Sequence, residues 1–233
     1  MMGACGVDIV SCFRKTGLWE KKGPAAPAAG RENRVALKRS ASLGVVSLAL
    51  FLSGCALFGG SKPLDTYDLS APSSAPAASR SHHLQILVAE PSAIKSFDSQ
   101  NIVIKPSPGV IEYLKGAQWA DRLPKVVQAR LIEALQKSGR FAGVGKPGEG
   151  LAIDYQVIAD IRAFDVVASG NAHAEVSLFV RLLNDRNGQV RTQKLFTADA
   201  PVIGTGNAAL VKALDRAFDN AASDIVSWSA SVL

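Results

Sequence analysis

The chain has 233 residues, 48% of them hydrophobic, a formal net charge of +6, three cysteines and three histidines. The basic excess sits upstream: residues 1–54 hold eight Lys/Arg against three Asp/Glu, so the part from Cys55 onward carries 18 basic and 17 acidic side chains. A near-neutral body lacks the dense basic face that nucleic-acid binding requires, so no nucleic-acid partner is expected; with Cys5 and Cys12 also upstream, that body has no second thiol for a disulfide or a thiolate metal site.

In chain order, residues 1–34 read as an N-terminal extension without an apolar period. A start near Val35, with a GTG codon read as Met, would leave an ordinary leader, and a misplaced start is the expectation here. Arg34, Lys38 and Arg39 form a basic stretch, followed by thirteen uncharged residues, Ser40 to Leu52. A spanning helix needs about 20 apolar residues, whereas a signal-peptide core needs roughly 7–15. The run ends in Leu52-Ser53-Gly54-Cys55, which resembles a bacterial lipobox. Small side chains at Ser53 and Gly54 let a peptidase reach the backbone and cut between Gly54 and Cys55. The Cys55 thiol then takes the lipid. Residues 35–54 are therefore expected to be a lipoprotein signal peptide and Cys55 the attachment site. Several acyl chains on one cysteine hold a protein firmly to a membrane without spanning it, since each buried CH₂ contributes about 0.8 kcal/mol.

Residues 55–82 are rich in Ser, Ala, Pro and Gly and read as a flexible linker. Tyr67-Asp68-Leu69 is an apolar island within it that could dock on the domain. Residues 83–233 have the size of one domain. Leu84 to Ala89 reads as a buried strand. Asn101 to Lys105 and Val110 to Leu114 flank the turn Pro106-Ser107-Pro108-Gly109 and predict a hairpin. Leu123, Val127, Leu131 and Leu135 recur at i+4 and predict a helix within residues 119–139, with Asp121 as its cap, Pro124 in its first turn and Gly139 at its end.

Three longer strands follow. Leu151 to Ala159 alternates apolar residues with Asp154, Gln156 and Asp160, which places these on a solvent face. Ala172 to Asn184 carries Val176, Leu178, Val180 and Leu182 on one face, and a turn ending in Asn187-Gly188 leads into Gln189 to Ala198. A last helix, Asn207 to Ser229, has Leu214, Phe218, Ala221 and Ile225 on one side and Thr205 or Asn207 as its cap. The pattern implies one α/β or α+β domain, a sheet with two main helices.

The candidate chemistry is thin. Gly143-Val144-Gly145-Lys146-Pro147-Gly148 fits G-x-G-x-x-G but precedes a strand, so it reads as a loop. Gly204-Thr205-Gly206-Asn207-Ala208-Ala209 precedes a helix, yet no further strand follows to complete a dinucleotide site. His82, His83 and His173 lack metal-ligand spacing. No catalytic residue, metal or cofactor is expected, and the chain does not read as an enzyme. Tryptophans anchor cores or interfaces. Trp119, expected in a loop before the first helix, is the candidate partner-binding residue; the other reading makes it and Trp228 ordinary core.

The order of parts resembles a known family. After the lipobox come Tyr67-Asp68-Leu69-Ser70, a first strand, Trp119-Ala120-Asp121-Arg122-Leu123-Pro124, a helix ending in Ser138-Gly139-Arg140-Phe141, three strands and a helix with Trp228 near its end. This is similar to the ABC-type transport auxiliary lipoproteins, the PqiC-like proteins. The departure is Asp65-Thr66-Tyr67, where relatives often carry a Tyr-Tyr pair. The resemblance implies a mixed-sheet, three-layer fold similar to anticodon-binding-like domains. It further implies a lipid-transport role beside an MCE-family periplasmic protein with its ABC permease and ATPase. Ala56 follows Cys55, which by the usual lipoprotein sorting rule favours the outer membrane. The expected function is tethering and partner binding, as a single chain or as a homo-oligomer, a ring or another. The alternative is a structural envelope-assembly lipoprotein aiding insertion of outer-membrane proteins or lipopolysaccharide.

Overall fold

The computed structural model describes residues 63–72 and 83–233, so the extension, the signal peptide and Cys55 lie outside the described residues. Nine strands and two helices follow one another: β1 (Asp65–Tyr67), β2 (Gln85–Val88), β3 (Ser92–Ala93), β4 (Asn101–Ser107), β5 (Val110–Trp119), α1 (Leu123–Lys137), β6 (Gly143–Gly145), β7 (Tyr155–Val167), β8 (His173–Asn184), β9 (Val190–Pro201) and α2 (Asn207–Val232).

Period-two alternation organises the sheet. In β8, Ala174, Val176, Leu178, Val180 and Leu182 are fully buried, and their partners on β7 include Val157, Ala159, Ile161 and Phe164. One slip in the pairing, between Ile161 and Ala163, keeps Phe164 and Val166 on the same buried face; without it every later side chain would point the other way. β7 is the spine. Its whole length pairs antiparallel with β8, which pairs in turn with β9. Along its other edge it takes three short parallel partners in succession: β2, β3 and β4. The sheet therefore forks, continuing from the start of β7 through β2 to β6 and from its end through β4 and β5 to β1.

The expected mixed sheet with two main helices is present. α1 buries Leu123, Val127, Leu131 and Leu135, and α2 buries Leu214, Ala217, Phe218, Ala221 and Ile225. The helices touch each other, α1 against β2 and β6, α2 against β7, β8 and β9. Both therefore lie over the face that carries Val88, Val157, Leu182 and Val176. The fold is a helical layer on a sheet whose opposite face has no helix among the described residues. That face carries Asp160, Arg162, Phe179 and Arg181 instead, with the Arg162 guanidinium 4.3 Å from the centre of the Phe179 ring.

Several local expectations hold. The β4–β5 hairpin forms, though β5 runs on to Trp119. Pro124 sits in the first turn of α1, and Gly139 adopts φ 62° just after it, a conformation that favours glycine at a helix end. Others are corrected. Arg122, not Asp121, is the N-cap of α1, because the Asp121 carboxylate instead accepts from the Arg122 amide. Gly206, at φ 81°, caps α2 rather than Thr205 or Asn207; the Asn207 amide donates across the fold to the Lys115 carbonyl at 3.0 Å. Gly143–Gly145 is not loop but an edge strand, parallel to β2.

Candidate functional site

The segment upstream of the domain meets the fold at β1 and β5. Asp65, Thr66 and Tyr67 pair in parallel with Ala117, Gln118 and Trp119 of β5. The Ala120 amide donates to the Tyr67 carbonyl at 2.7 Å, and the Gln118 side-chain amide to the Thr66 hydroxyl at 3.2 Å. Two residues on, Leu69 drops into the core, 2% exposed. The apolar island within the linker is thus part of the domain. Alternation explains the geometry: Tyr67 and Leu69 face inward while Asp68 and Ser70 face outward.

The outward residues reach both helices. The Asp68 carboxylate pairs with Arg130 of α1, and the Ser70 amide donates to Asp215 of α2 at 2.7 Å. Arg130 also holds Glu133 at 2.9 Å. Burial opposes the charge on Arg130, but its hydrogen bond to Glu133 and the charge of Asp68 leave its pKa raised. Lys137 and Arg130 hold the Glu133 carboxyl below its ordinary range. The result is a clasp of strand pairing, one buried leucine and two polar contacts.

Trp119 is not in a loop. It is the last residue of β5, 1% exposed, its ring edge-on to Phe164 at 5.8 Å and 84°. A side chain so enclosed has no free face to present to a partner, and the core reading is the one the structure supports. Trp228 is half-buried, 5.3 Å from Phe196. His173 donates from Nδ1 to the Asn171 carbonyl at 2.9 Å. Among the described residues no cluster of His, Cys, Asp or Glu is arranged to hold a metal ion; His82 lies outside them.

The strand acids are structural. Asp160 accepts from Ser92 and pairs with Arg181 at 3.3 Å. Asp165 is fully buried and meets Lys105 Nζ at 2.8 Å. Asp154 accepts from the Gln85 amide at 2.9 Å and from Arg186 at 2.8 Å, which joins β2 to the β8–β9 turn. The Gln85 amide, with Arg186 behind it, holds the Asp154 carboxyl below its ordinary value. A carboxyl lowered on folding stabilises above the unfolded pKa, about 3.9, and that contribution is lost as pH falls through the lowered folded value. Asp154→Asn is therefore expected to cost about 1 kcal/mol at neutral pH. Urea unfolding at a series of pH values should show the gap to wild type closing below about pH 4.

A groove of about 540 Å³ lies between α1 and the turn after β6. Its walls alternate acids (Glu90, Asp121, Glu149) with Lys125 and Lys146. Gln128, Ala129 and Ile132 complete the lining, so the groove mixes ion-pairing groups with an apolar floor from α1.

Comparison with known proteins agrees with this architecture. A family model described as ABC-type transport auxiliary lipoprotein component matches residues 67–226, so the match begins inside the docked segment. An uncharacterized protein from Bradyrhizobium diazoefficiens is 30% identical over 176 residues, 73% of this chain and 47% of the relative. The chain thus spans about half the length of that curated relative. A crystal structure of a Xanthomonas campestris protein is similar at TM-score 0.66 and 27% identity, covering 72% of this chain and 95% of that one. A second crystal structure, of a protein described only as uncharacterized, shares the fold at TM-score 0.59 and 14% identity, covering 72% and 99%. With 160 contiguous residues matched, from the docked tether through most of α2, the chain belongs to the family of ABC-type transport auxiliary lipoprotein components.

Proposed function

We propose that this chain is the outer-membrane-side lipoprotein of an MCE-type ABC transport system that moves lipid between membranes. It is cut between Gly54 and Cys55, anchored by acyl chains on Cys55 and folded on the periplasmic side. It contributes no catalysis; it holds the transporter's periplasmic MCE subunit, and through it the permease and ATPase, against the membrane. It does so as a single chain or as a homo-oligomer, a ring or another. Ala56, directly after the anchor, supports sorting to the outer membrane.

The observation that carries this reading is the clasp at β1. The segment Asp65–Tyr67, ten residues after Cys55, is a strand of the sheet, so the folded domain begins within ten residues of the anchor. The test is affinity capture of the lipidated chain from detergent-solubilised envelopes. MCE and permease subunits are the expected companions; a β-barrel assembly machine in their place would mean an envelope-assembly role instead. Cys55→Ala is expected to leave the protein unacylated. Intact mass would then lose the acyl increment, and the protein would shift from the membrane fraction.

A further inference from the structure

We propose that the tip of the β4–β5 hairpin is a membrane-contact surface, with its apolar side chains seated at the headgroup boundary of the bilayer that holds the anchor. The proposal rests on the reading of Cys55 as the lipidated residue and adds the orientation of the domain on that membrane.

The argument begins with where the tether leaves. β1 runs parallel to β5 with Asp65 opposite Ala117. Leu64 and Pro63 therefore lie further down β5, level with Gly116 and Lys115, on the side of the hairpin turn. Nine peptide steps separate Cys55 from Leu64. Fully extended they span at most about 30 Å. The anchor thus confines this end of the domain to within about 30 Å of the acyl chains, whatever path the intervening residues take.

The same end carries several of the exposed large apolar residues. β4 pairs with β7 only as far as Lys105 opposite Val167. From Pro106 to Ile111 the hairpin projects past the last residue of β7 as two strands. Val110 and Ile111 on that projection are 44% and 46% exposed; Tyr113, opposite Val103 just behind it, is 47% exposed, and Leu64, level with Gly116 further along β5, is 49% exposed. Ile203, 69% exposed, is on the loop that leads to Asn207, whose side chain holds the Lys115 carbonyl. Large apolar side chains gathered at one extremity mark an interaction surface. A two-stranded projection alone is marginal in water, and the interface of a bilayer accommodates such side chains at shallow depth. The opposite end of the sheet, at the β8–β9 turn, presents Asp185, Arg186 and Asn187, with Val190, 48% exposed, beside them.

The test uses the lipidated chain with one added thiol, Ile111→Cys or Arg191→Cys, labelled with the environment-sensitive dye NBD. Arg191 is exposed near the start of β9, about 30 Å along the ladder from the hairpin end. Each protein is reconstituted into phosphatidylethanolamine–phosphatidylglycerol vesicles with or without doxyl-labelled lipid. Flotation with the vesicles reads the anchor independently of the dye. The expected result is that both proteins float, and that the dye at position 111 shifts to the blue and is quenched several-fold more by doxyl lipid than the dye at 191. Adding Val110→Asp should reduce that quenching. If both proteins float but the two dyes are quenched alike, the membrane-contact proposal is overturned while the anchor reading stands. A blue shift at 111 without doxyl quenching also overturns it, since the tip would then be covered by protein, such as a second copy. Failure to float overturns the anchor reading and the proposal with it.

Discussion

Trp119→Ala is expected to destabilise the fold by about 3–5 kcal/mol, the loss typical of emptying a buried tryptophan site. The ring is 1% exposed and starts an aromatic chain through the core. Its edge meets Phe164 of β7 at 5.8 Å, and Phe164 lies 6.0 Å from Phe218 of α2. Each such pair contributes about 0.5–1.5 kcal/mol beyond the area it buries. The substitution would therefore loosen the contact between one fork of the sheet and the long helix at once. Total stability of a domain is about 5–15 kcal/mol, so the variant should unfold at a much lower urea concentration with little change in slope. Trp228→Ala removes a half-buried ring and is expected to cost less. A Trp119→Ala loss below about 1 kcal/mol, with partner capture abolished, would restore the interface role that the sequence suggested.

That contrast shows why parts of this protein were legible in the sequence and parts were not. The β8 strand could be read almost to the residue, because its alternating Val176, Leu178, Val180 and Leu182 match a buried face over an open one, and the turn through Asn187-Gly188 marks its end. Both helices were legible for the same reason, a stripe of apolar residues with helical period. What escaped was set by partners distant in sequence. Trp119 looks like a loop residue beside Asp121 and Pro124; only its pairing with Tyr67, fifty-two positions away, makes it strand and core. Gly143–Gly145 carries no β-branched pattern beyond Val144, and it becomes a strand because β2 offers an edge. The caps failed because Asp121 and Asn207 found other hydrogen-bond partners. Of the candidate site, Tyr67-Asp68-Leu69 was visible as an apolar island, but the clasp with Arg130 and Asp215 joins three remote segments and has no local signature.

Leu69→Ala should lengthen the tether roughly threefold without unfolding the domain. The clasp orders residues 65–70 at about 1–2 kcal/mol each in backbone entropy. Against this stand a three-residue ladder, the burial of Leu69, the Asp68–Arg130 pair and the Ser70–Asp215 hydrogen bond. The two polar contacts are exposed and are worth about 1 kcal/mol or less each, so the leucine is the largest single term. Truncating it removes about 2–5 kcal/mol, enough to open the clasp while the long β7–β8–β9 ladder stays closed. Amide exchange at Thr66, Tyr67 and Ala120 should then quicken by at least tenfold, with β8 amides still protected. The mechanical consequence is larger than the energetic one. With the clasp shut, nine peptide steps lie between Cys55 and Leu64; with it open, twenty-nine lie between Cys55 and Leu84. Maximal reach grows from about 30 Å to about 100 Å. The domain would also lose the fixed exit point that orients it on the membrane. Energy transfer between a dye at position 191 and an acceptor in the bilayer should fall in Leu69→Ala, and Arg130→Ala should move it part of the way. Unchanged transfer, with fast exchange at Tyr67, would mean that the segment upstream of the clasp and not the clasp itself sets the distance from the membrane.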